Sequence, residues 1–356
     1  MRSRAARRFA AVAALAALVA AGGPAGCAKP EARPVATKTT YQSEIKEPPP
    51  SPPPTWPLTG ELGEVAERAA LAVKVENSSP ARPQTGLEQA DVVWEEMIEG
   101  GESRFIAVYN SIVPESVGPV RSVRPMDGPI LGAVRGLLAC SGGQDRFIAK
   151  AKDAGLQVFQ EDAKGYYRSD ERRMPYNLYL RPAEIWAQAD DSHKALPQPE
   201  FAFAALDVAS TAALAGTPAA KLSVAISPVA QPTWTWEAES RLFLRSERDT
   251  PSTSSSGMRL SASNVIALAV AVQMAGGTDV AGSPIPETVV VGSGQGIVAS
   301  AGHAVDVVWT KESVASPFVL QTPDGAPVRL AQGQTWIELV PISGGSWSVA
   351  EAAAQD

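Results

Sequence analysis

The chain has 356 residues, enough for two domains of ordinary size, and its 45% hydrophobic and 19% charged residues are typical of a globular protein. Its 31 Lys and Arg stand against 38 Asp and Glu, and this acidic balance of −7 argues against nucleic acid as a partner. Two cysteines and two histidines exclude a disulfide-stapled scaffold and a Cys₄ zinc site, so we expect neither a metal nor a cofactor.

Residues 1–26 have the pattern of a secretory signal peptide. Four arginines precede an apolar run that is too short to span a bilayer, which needs about 20 residues. The run leads to Ala25-Gly26-Cys27, which resembles the end of a bacterial lipobox, although Pro24 stands where such a motif usually has Leu. We predict cleavage before Cys27 and lipidation of its thiol; the alternative is an ordinary signal peptide with a chance cysteine. Cleavage would remove four arginines and no acid, leaving a net charge of −11.

Residues 27–60 are rich in proline, including the run Pro48-Pro49-Pro50-Ser51-Pro52-Pro53-Pro54. Proline at this density favours extended polyproline II, which cannot form a packed core. The segment is predicted to be a tether between the membrane and two domains, at residues 61–218 and 219–356.

The first of these domains is predicted to alternate strands with helices, as in an α/β or α+β domain. The predicted strands are Leu71–Glu76, Asp91–Met97, Arg104–Asn110, Leu137–Cys140 and Leu156–Gln160, and the predicted helices are Met126–Gly136, Asp145–Asp153, Pro182–Ala189 and Phe201–Leu206.

The second domain is predicted to be mainly antiparallel β, because strand patterns separated by turn residues fill it. They are Leu222–Ile226, Thr233–Glu237, Arg241–Arg245, Asn264–Gln273, Thr288–Val291, Val305–Thr310, Pro317–Gln321 and Trp336–Val340. Its five tryptophans have the spacing of core residues. The run Val289–Gly296 resembles a dinucleotide loop, but β pattern follows it instead of the helix that phosphate binding needs, so we interpret it as a glycine-rich hairpin.

One polar constellation suggests chemistry. Glu95, Glu96, Glu99, Arg104, Arg121, Arg124 and Asp127 lie within 33 positions. Two arginines at loop ends, beside a helix starting near Pro125, could bind a carboxylate or phosphate through bidentate hydrogen bonds. The alternative, which spacing alone favours, is that these acids and arginines pair with each other. Cys140, at the end of an apolar strand, is expected to be buried and inert.

Several motifs resemble those of the YerB-like bacterial lipoproteins, a family of unknown function. They are Glu99-Gly100-Gly101-Glu102-Ser103-Arg104-Phe105, Gly118–Pro125, Ser141-Gly142-Gly143, Pro175-Tyr176-Asn177-Leu178-Tyr179, Ala81–Leu87, Leu260–Val265 and Gly333–Glu338.

The resemblance implies an extracytoplasmic, two-domain lipoprotein and no particular reaction. It adds Ser141, Asn177 and Tyr179 to the ligand-binding candidates Arg104, Arg121, Arg124, Glu99 and Asp127. Many relatives have histidines where this chain has Cys140 and Tyr176, so if those histidines do chemistry, this member has lost it or works differently. The excess of arginine over lysine and the abundance of alanine indicate an actinobacterial source.

Three functions remain open. The first is a non-catalytic lipoprotein, anchored to the outer face of the cell membrane, that binds an anionic cell-wall component or an envelope protein through its arginines. The second is a hydrolase or transferase acting on cell-wall glycan or phosphate polymer, with Glu95, Glu96, Glu99 or Asp127 as acid or base. The third is a scaffold for envelope proteins.

Overall fold

The computed structural model describes residues 53–351, so the predicted signal peptide, Cys27 and most of the predicted tether lie outside the described residues. Within this range no helix combines the length and apolar character needed to cross a bilayer. The last residues of the predicted tether are described, and Leu58 among them is buried in the core.

The first half of the described chain contains seven strands and four α-helices. They are β1 (Leu71–Glu76), β2 (Val92–Met97), β3 (Ser103–Tyr109), α1 (Asp127–Leu131), β4 (Leu137–Ala139), α2 (Asp145–Asp153), β5 (Gln157–Phe159), β6 (Tyr166–Arg168), β7 (Leu178–Leu180), α3 (Pro182–Trp186) and α4 (Thr211–Ala215).

The second half, within the described range, consists of strands. They are β8 (Thr217–Pro218), β9 (Lys221–Ala225), β10 (Pro232–Glu237), β11 (Leu242–Glu247), β12 (Thr250–Pro251), β13 (Ser261–Ala262), β14 (Asn264–Thr278), β15 (Pro284–Val289), β16 (Gly292–Ser300), β17 (His303–Lys311), β18 (Val319–Gln321), β19 (Thr335–Pro341) and β20 (Ser346–Ala350).

Twelve strands form one main sheet in the order β18-β17-β16-β14-β19-β2-β3-β1-β4-β5, with β15 paired to β14 and β8 to β17. The N-terminal part is mixed and the C-terminal part mainly antiparallel, which confirms the predicted fold class. Strands from both sides of residue 218 meet where β2 lies parallel to β19, a pairing that sets Glu95 opposite Glu338. The domain boundary at that residue stays a prediction.

Six strands form a second, antiparallel sheet in the order β12-β11-β10-β9-β20, with β13 beside β11. One core cluster combines this sheet with the main sheet, because it contains Leu222 and Trp234 together with Val73 and Trp336. The rings of Trp234 and Trp336 meet edge to face at 5.2 Å. These tryptophans and Trp309 are at most 2% exposed, so their predicted role in the core is confirmed.

The opposite face of the main sheet is covered by α1 and α2, which supply a second core cluster. Helix α2 has the predicted bounds because Phe147, Ile148 and Ala151 form one buried face, and Gly155, at a φ of 87°, follows its end. With layers on both sides, all six residues of β1 are buried, as a near-continuous apolar strand requires.

The predicted helix over Phe201–Leu206 is wrong, since the segment has no helix. The N–H of Ala204 donates to the carbonyl of Leu330. The N–H of Leu330 in turn donates to the carbonyl of Ala202. Pairing with a distant segment therefore replaces the local hydrogen bonds of a helix. The helices predicted over Met126–Gly136 and Pro182–Ala189 exist but are shorter, as α1 and α3.

The glycine-rich run is confirmed as part of a hairpin. Its residues from Gly292 onward form β16, which is paired to β14 on one side and to β17 on the other. No helix follows it, so the elements of a dinucleotide site are not present in this segment.

Candidate functional site

The polar constellation gathers at the ends of β1, β2 and β3 and in the segment before α1. Strand β1 carries two charged residues among apolar ones, Lys74 and Glu76, and both are buried. Burying a charge is costly unless it is paired. Each of these two residues is the centre of an ion-paired group.

Glu76 binds two arginines at one carboxylate oxygen. Its Oε2 lies 2.6 Å from Nε of Arg121 and 3.3 Å from Nε of Arg104, while the N–H groups of Asn77 and Ser78 donate to its Oε1. Burial opposes ionisation of Glu76, but the two guanidinium groups outweigh it, so the pKa of this carboxyl lies below its ordinary value. Glu76 is therefore a carboxylate at neutral pH.

Arg124 forms an ion pair with Glu99. Its Nε and Nη2 both donate to Oε2 of that carboxylate, at 3.0 and 2.8 Å, and its Nε also lies 2.8 Å from Oε1. Burial and the neighbouring charge of Arg124 lower the pKa of Arg104 to about 10. The three guanidinium groups are thus close enough to repel one another. We call Arg104, Arg121 and Arg124, with Glu76 and Glu99, the arginine cluster.

Lys74 lies between two carboxyl groups that are fully buried with it. Its Nζ contacts Glu96 and lies 2.9 Å from Oδ1 of Asp127, whose Oδ2 accepts a hydrogen bond from the N–H of Arg124. Burial and the nearby Asp127 raise the pKa of Glu96 well above its ordinary value. We infer that Glu96 is protonated in this group.

The remaining candidates divide between two places. The Ser141 hydroxyl lies 3.2 Å from the Ser122 hydroxyl. The backbone N–H of Ser141 donates to the carbonyl of Arg121, so Ser141 borders the arginine cluster. Asn177 instead accepts a hydrogen bond from Arg168. The ring of Tyr179 stacks on Tyr167 at 5.9 Å, on the β6–β7 hairpin. Within residues 53–351, neither Asn177 nor Tyr179 is hydrogen-bonded to the arginine cluster.

Asn77 connects the arginine cluster to a second buried group. Its amide nitrogen donates to Glu95, which lies 2.8 Å from Nη2 of Arg245, and Arg245 is also 3.1 Å from Glu247. Glu338 lies opposite Glu95. Burial and the neighbouring Glu95 raise the pKa of Glu338 well above its ordinary value, so we infer that Glu338 is protonated. The group joins β11 of the smaller sheet to β2 and β19.

Sequence reasoning missed Lys74, Glu76, Arg245 and Glu338. The first two carried a signal, since charged residues inside an apolar strand need buried partners. Arg245 lies 150 positions from its partner Glu95, and no local pattern indicates such a pairing.

The arginine cluster has one more cation than carboxylates. Arg121 is its most accessible member, with a side chain 25% exposed, compared with 6% for Arg104 and 12% for Arg124. Among the described residues, the two terminal nitrogens of Arg121 have no hydrogen-bond partner. They can therefore donate to an incoming anion without first breaking the bond between Nε and Glu76.

Three of the four acids considered for catalysis lie deeper than the arginines, whereas Glu99 is 8% exposed. Glu95, Glu96 and Asp127 are 0% exposed, so a substrate would reach them only if the fold opened. Cys140 is buried as expected, and burial raises its pKa to about 11, which keeps it a thiol. In the described part of the chain, no three His, Cys, Asp or Glu side chains are grouped as metal ligands.

Two family models match the chain. The one described as "Protein of unknown function (DUF3048) N-terminal domain" matches residues 58–195, and the corresponding C-terminal domain matches residues 222–337. The chain belongs to the DUF3048 family. Together the two models span both halves of the fold and include the whole arginine cluster.

The relatives agree with the resemblance seen in the sequence. The chain is 35% identical over 128 residues to "Putative lipoprotein YerB" of Bacillus subtilis (strain 168), a match that spans 35% of this chain and 39% of that protein. The crystal structure of the Bacillus subtilis YerB protein superposes with a TM-score of 0.70 at 24% identity, covering 83% of this chain and 99% of that one. The YerB-like family and the fold are therefore confirmed.

Proposed function

We propose that this DUF3048 protein is a lipoprotein, anchored through Cys27 to the outer face of the cell membrane, whose arginine cluster binds an anionic cell-wall component or an acidic envelope protein. The observation that carries the binding role is the accessible guanidinium of Arg121, which belongs to a group with an excess positive charge. Arginine suits this role because its planar donors match carboxylate and phosphate oxygens.

The surroundings of Arg121 support binding to an oxyanion. Its Nε is held by Glu76, which fixes the guanidinium. The N–H of Ser141 donates to the backbone carbonyl of Arg121, and the Ser141 hydroxyl lies 3.2 Å from that of Ser122. The chain as a whole has a charge of −7, so a local excess of guanidinium, and not the overall charge, would attract the ligand.

An Arg121→Gln variant tests the binding role. We expect the full chain to bind poly(glycerol phosphate) or polyglutamate in low salt, and the variant to bind at least tenfold more weakly. A hydrogen bond to a charged group contributes about 1.5–3 kcal/mol, and a tenfold change in affinity corresponds to about 1.4 kcal/mol. Isothermal titration calorimetry measures both dissociation constants, and added salt should weaken binding by the parent chain.

Arg241→Gln is the matched control, because Arg241 is exposed and forms no ion pair with residues 53–351. It removes the same charge elsewhere and should bind like the parent. The binding role is wrong if neither polymer binds, or if the two variants weaken binding equally.

A Cys27→Ser variant tests the anchor separately. In cells fed an alkyne-labelled fatty acid, the parent should carry the label and sediment with membranes, whereas the variant should be unlabelled and soluble, since a stable anchor depends on the acyl chains. Cys140→Ser controls for the other thiol and should keep the label. Protease added to intact cells should degrade the parent if it lies at the outer face. Label on the Cys27→Ser variant would contradict lipidation at this residue.

A further inference from the structure

A groove of about 1000 Å³ opens on the described surface, away from the arginine cluster. It lies between residues 53–60, 199–208 and 317–332. Trp56 and Phe203 contribute rings to its walls, and Leu206, Val208 and Val319 are 45%, 51% and 47% exposed. Large apolar side chains left open in a concave site mark a place where another apolar surface binds.

Part of the backbone around the groove is already hydrogen-bonded within the fold. The N–H of Val328 donates to Leu320, and those of Ala204 and Leu330 are also used within the fold. Five lining residues are prolines, which have no N–H: Pro53, Pro57, Pro199, Pro317 and Pro327. These bonds and the prolines reduce the number of partners that the backbone of an extended peptide could find here, whereas a hydrocarbon chain needs none.

The polar side chains in the lining carry both signs of charge. Asp207 and Arg329 are exposed, and neither forms an ion pair with another described residue. Glu200 is 3% exposed; its Oε1 accepts the N–H of Phe318 at 3.0 Å, and its Oε2 has no partner among residues 53–351. Burial raises the pKa of Glu200 to about 6. Unpaired charges of both signs are complementary to a zwitterion.

We propose that this groove binds a zwitterionic amphiphile with a single aliphatic chain, a lysophospholipid drawn from the membrane. The chain lies along Trp56, Phe203 and the exposed Leu206, Val208 and Val319. The phosphate of the head group faces Arg329, and its ammonium faces Asp207, with the free oxygen of Glu200 as a further acceptor inside the groove.

The test uses myristoyl lysophosphatidylethanolamine below its micelle concentration, titrated into the full chain. We expect saturable binding of one molecule per chain with a negative heat-capacity change, the mark of apolar burial. Val208→Asp and Val319→Asp place a charge in the groove at exposed positions and should each weaken binding at least tenfold. Val280→Asp makes the same change at a fully exposed position outside the groove and should have no effect.

Two further measurements separate the chain from the head group. A lysophospholipid brominated in its chain should quench tryptophan fluorescence of the parent, and part of that quenching should be lost in Trp56→Phe. Arg329→Gln and Asp207→Asn should weaken binding of the lysophospholipid but not of dodecyl maltoside, whose head is uncharged.

The proposal is wrong if the lysophospholipid does not bind, or if Val208→Asp, Val319→Asp and Val280→Asp bind it alike. It is also wrong if a proline-rich peptide binds more tightly than the lysophospholipid and loses that affinity in the Val208→Asp variant. The groove would then be a peptide site. Equal affinity for dodecyl maltoside would overturn the assigned head group.

Discussion

Replacing Arg245 with Met is expected to lower the free energy of unfolding by about 3–5 kcal/mol, because breaking a buried ion pair leaves an uncompensated charge in the core. Arg245 is 1% exposed, and it pairs with Glu95 across the space between the two sheets and with Glu247 on its own strand. Its guanidinium also lies over the rings of Phe105 and Trp336, at 5.3 and 5.5 Å. Urea unfolding at pH 7, followed by tryptophan fluorescence, measures the loss.

The double variant Arg245→Met with Glu95→Gln shows whether the loss of stability comes from leaving the Glu95 carboxylate without a cation. Glu338 is already protonated, so Glu95 is the charge that Arg245 compensates in the main sheet. Neutralising it should recover part of the stability that the single variant loses. Arg241→Met, at an exposed position in the turn between β10 and β11, should change stability by less than about 0.5 kcal/mol. A loss below about 1 kcal/mol in Arg245→Met would show that the pair contributes little.

Elements with a complete local signal could be predicted from the sequence. The run LAVKVE ends at the turn residues after Glu76, and α2 has one apolar face and a glycine after its end; both have the predicted bounds. The segment Phe201–Leu206 has a helical pattern but pairs instead with Leu330, which lies more than 120 positions away. The periodicity of a segment gives no information about a partner so distant in the sequence.

The arginine cluster was predictable only in part, for the same reason. Spacing placed Arg104, Arg121 and Arg124 near Glu95, Glu96 and Glu99. Glu99, which follows β2, is indeed the partner of Arg124. The partner of the other two arginines is Glu76, at the end of β1, which no motif singles out. The alternative favoured by spacing, mutual pairing of acids and arginines, describes much of the cluster. The excess positive charge at Arg121 can be identified only when the arginine partner of each carboxylate is known.

Replacing Lys74 with Met is expected to destabilise the fold by about 3 kcal/mol or more at pH 8, and by less at pH 5. Lys74 lies between Asp127 and Glu96, and all three side chains have zero exposure. Burial already raises the pKa of Glu96, and without the lysine that pKa rises further in the folded state. The stability that protonation of Glu96 supplies is lost as the pH rises through this pKa.

Unfolding by urea at pH 5, 6.5 and 8 measures this slope. Lys152→Met removes an exposed lysine from α2 and should lower stability little at any of the three values. Adding Asp127→Asn to Lys74→Met removes the carboxylate that Lys74 compensates, so the stability of the double variant should depend less on pH than that of the single one. An equal loss at pH 5 and pH 8 in Lys74→Met would mean that the carboxyl groups do not take up protons when the lysine is gone. That result would contradict the expected dependence of the loss on pH.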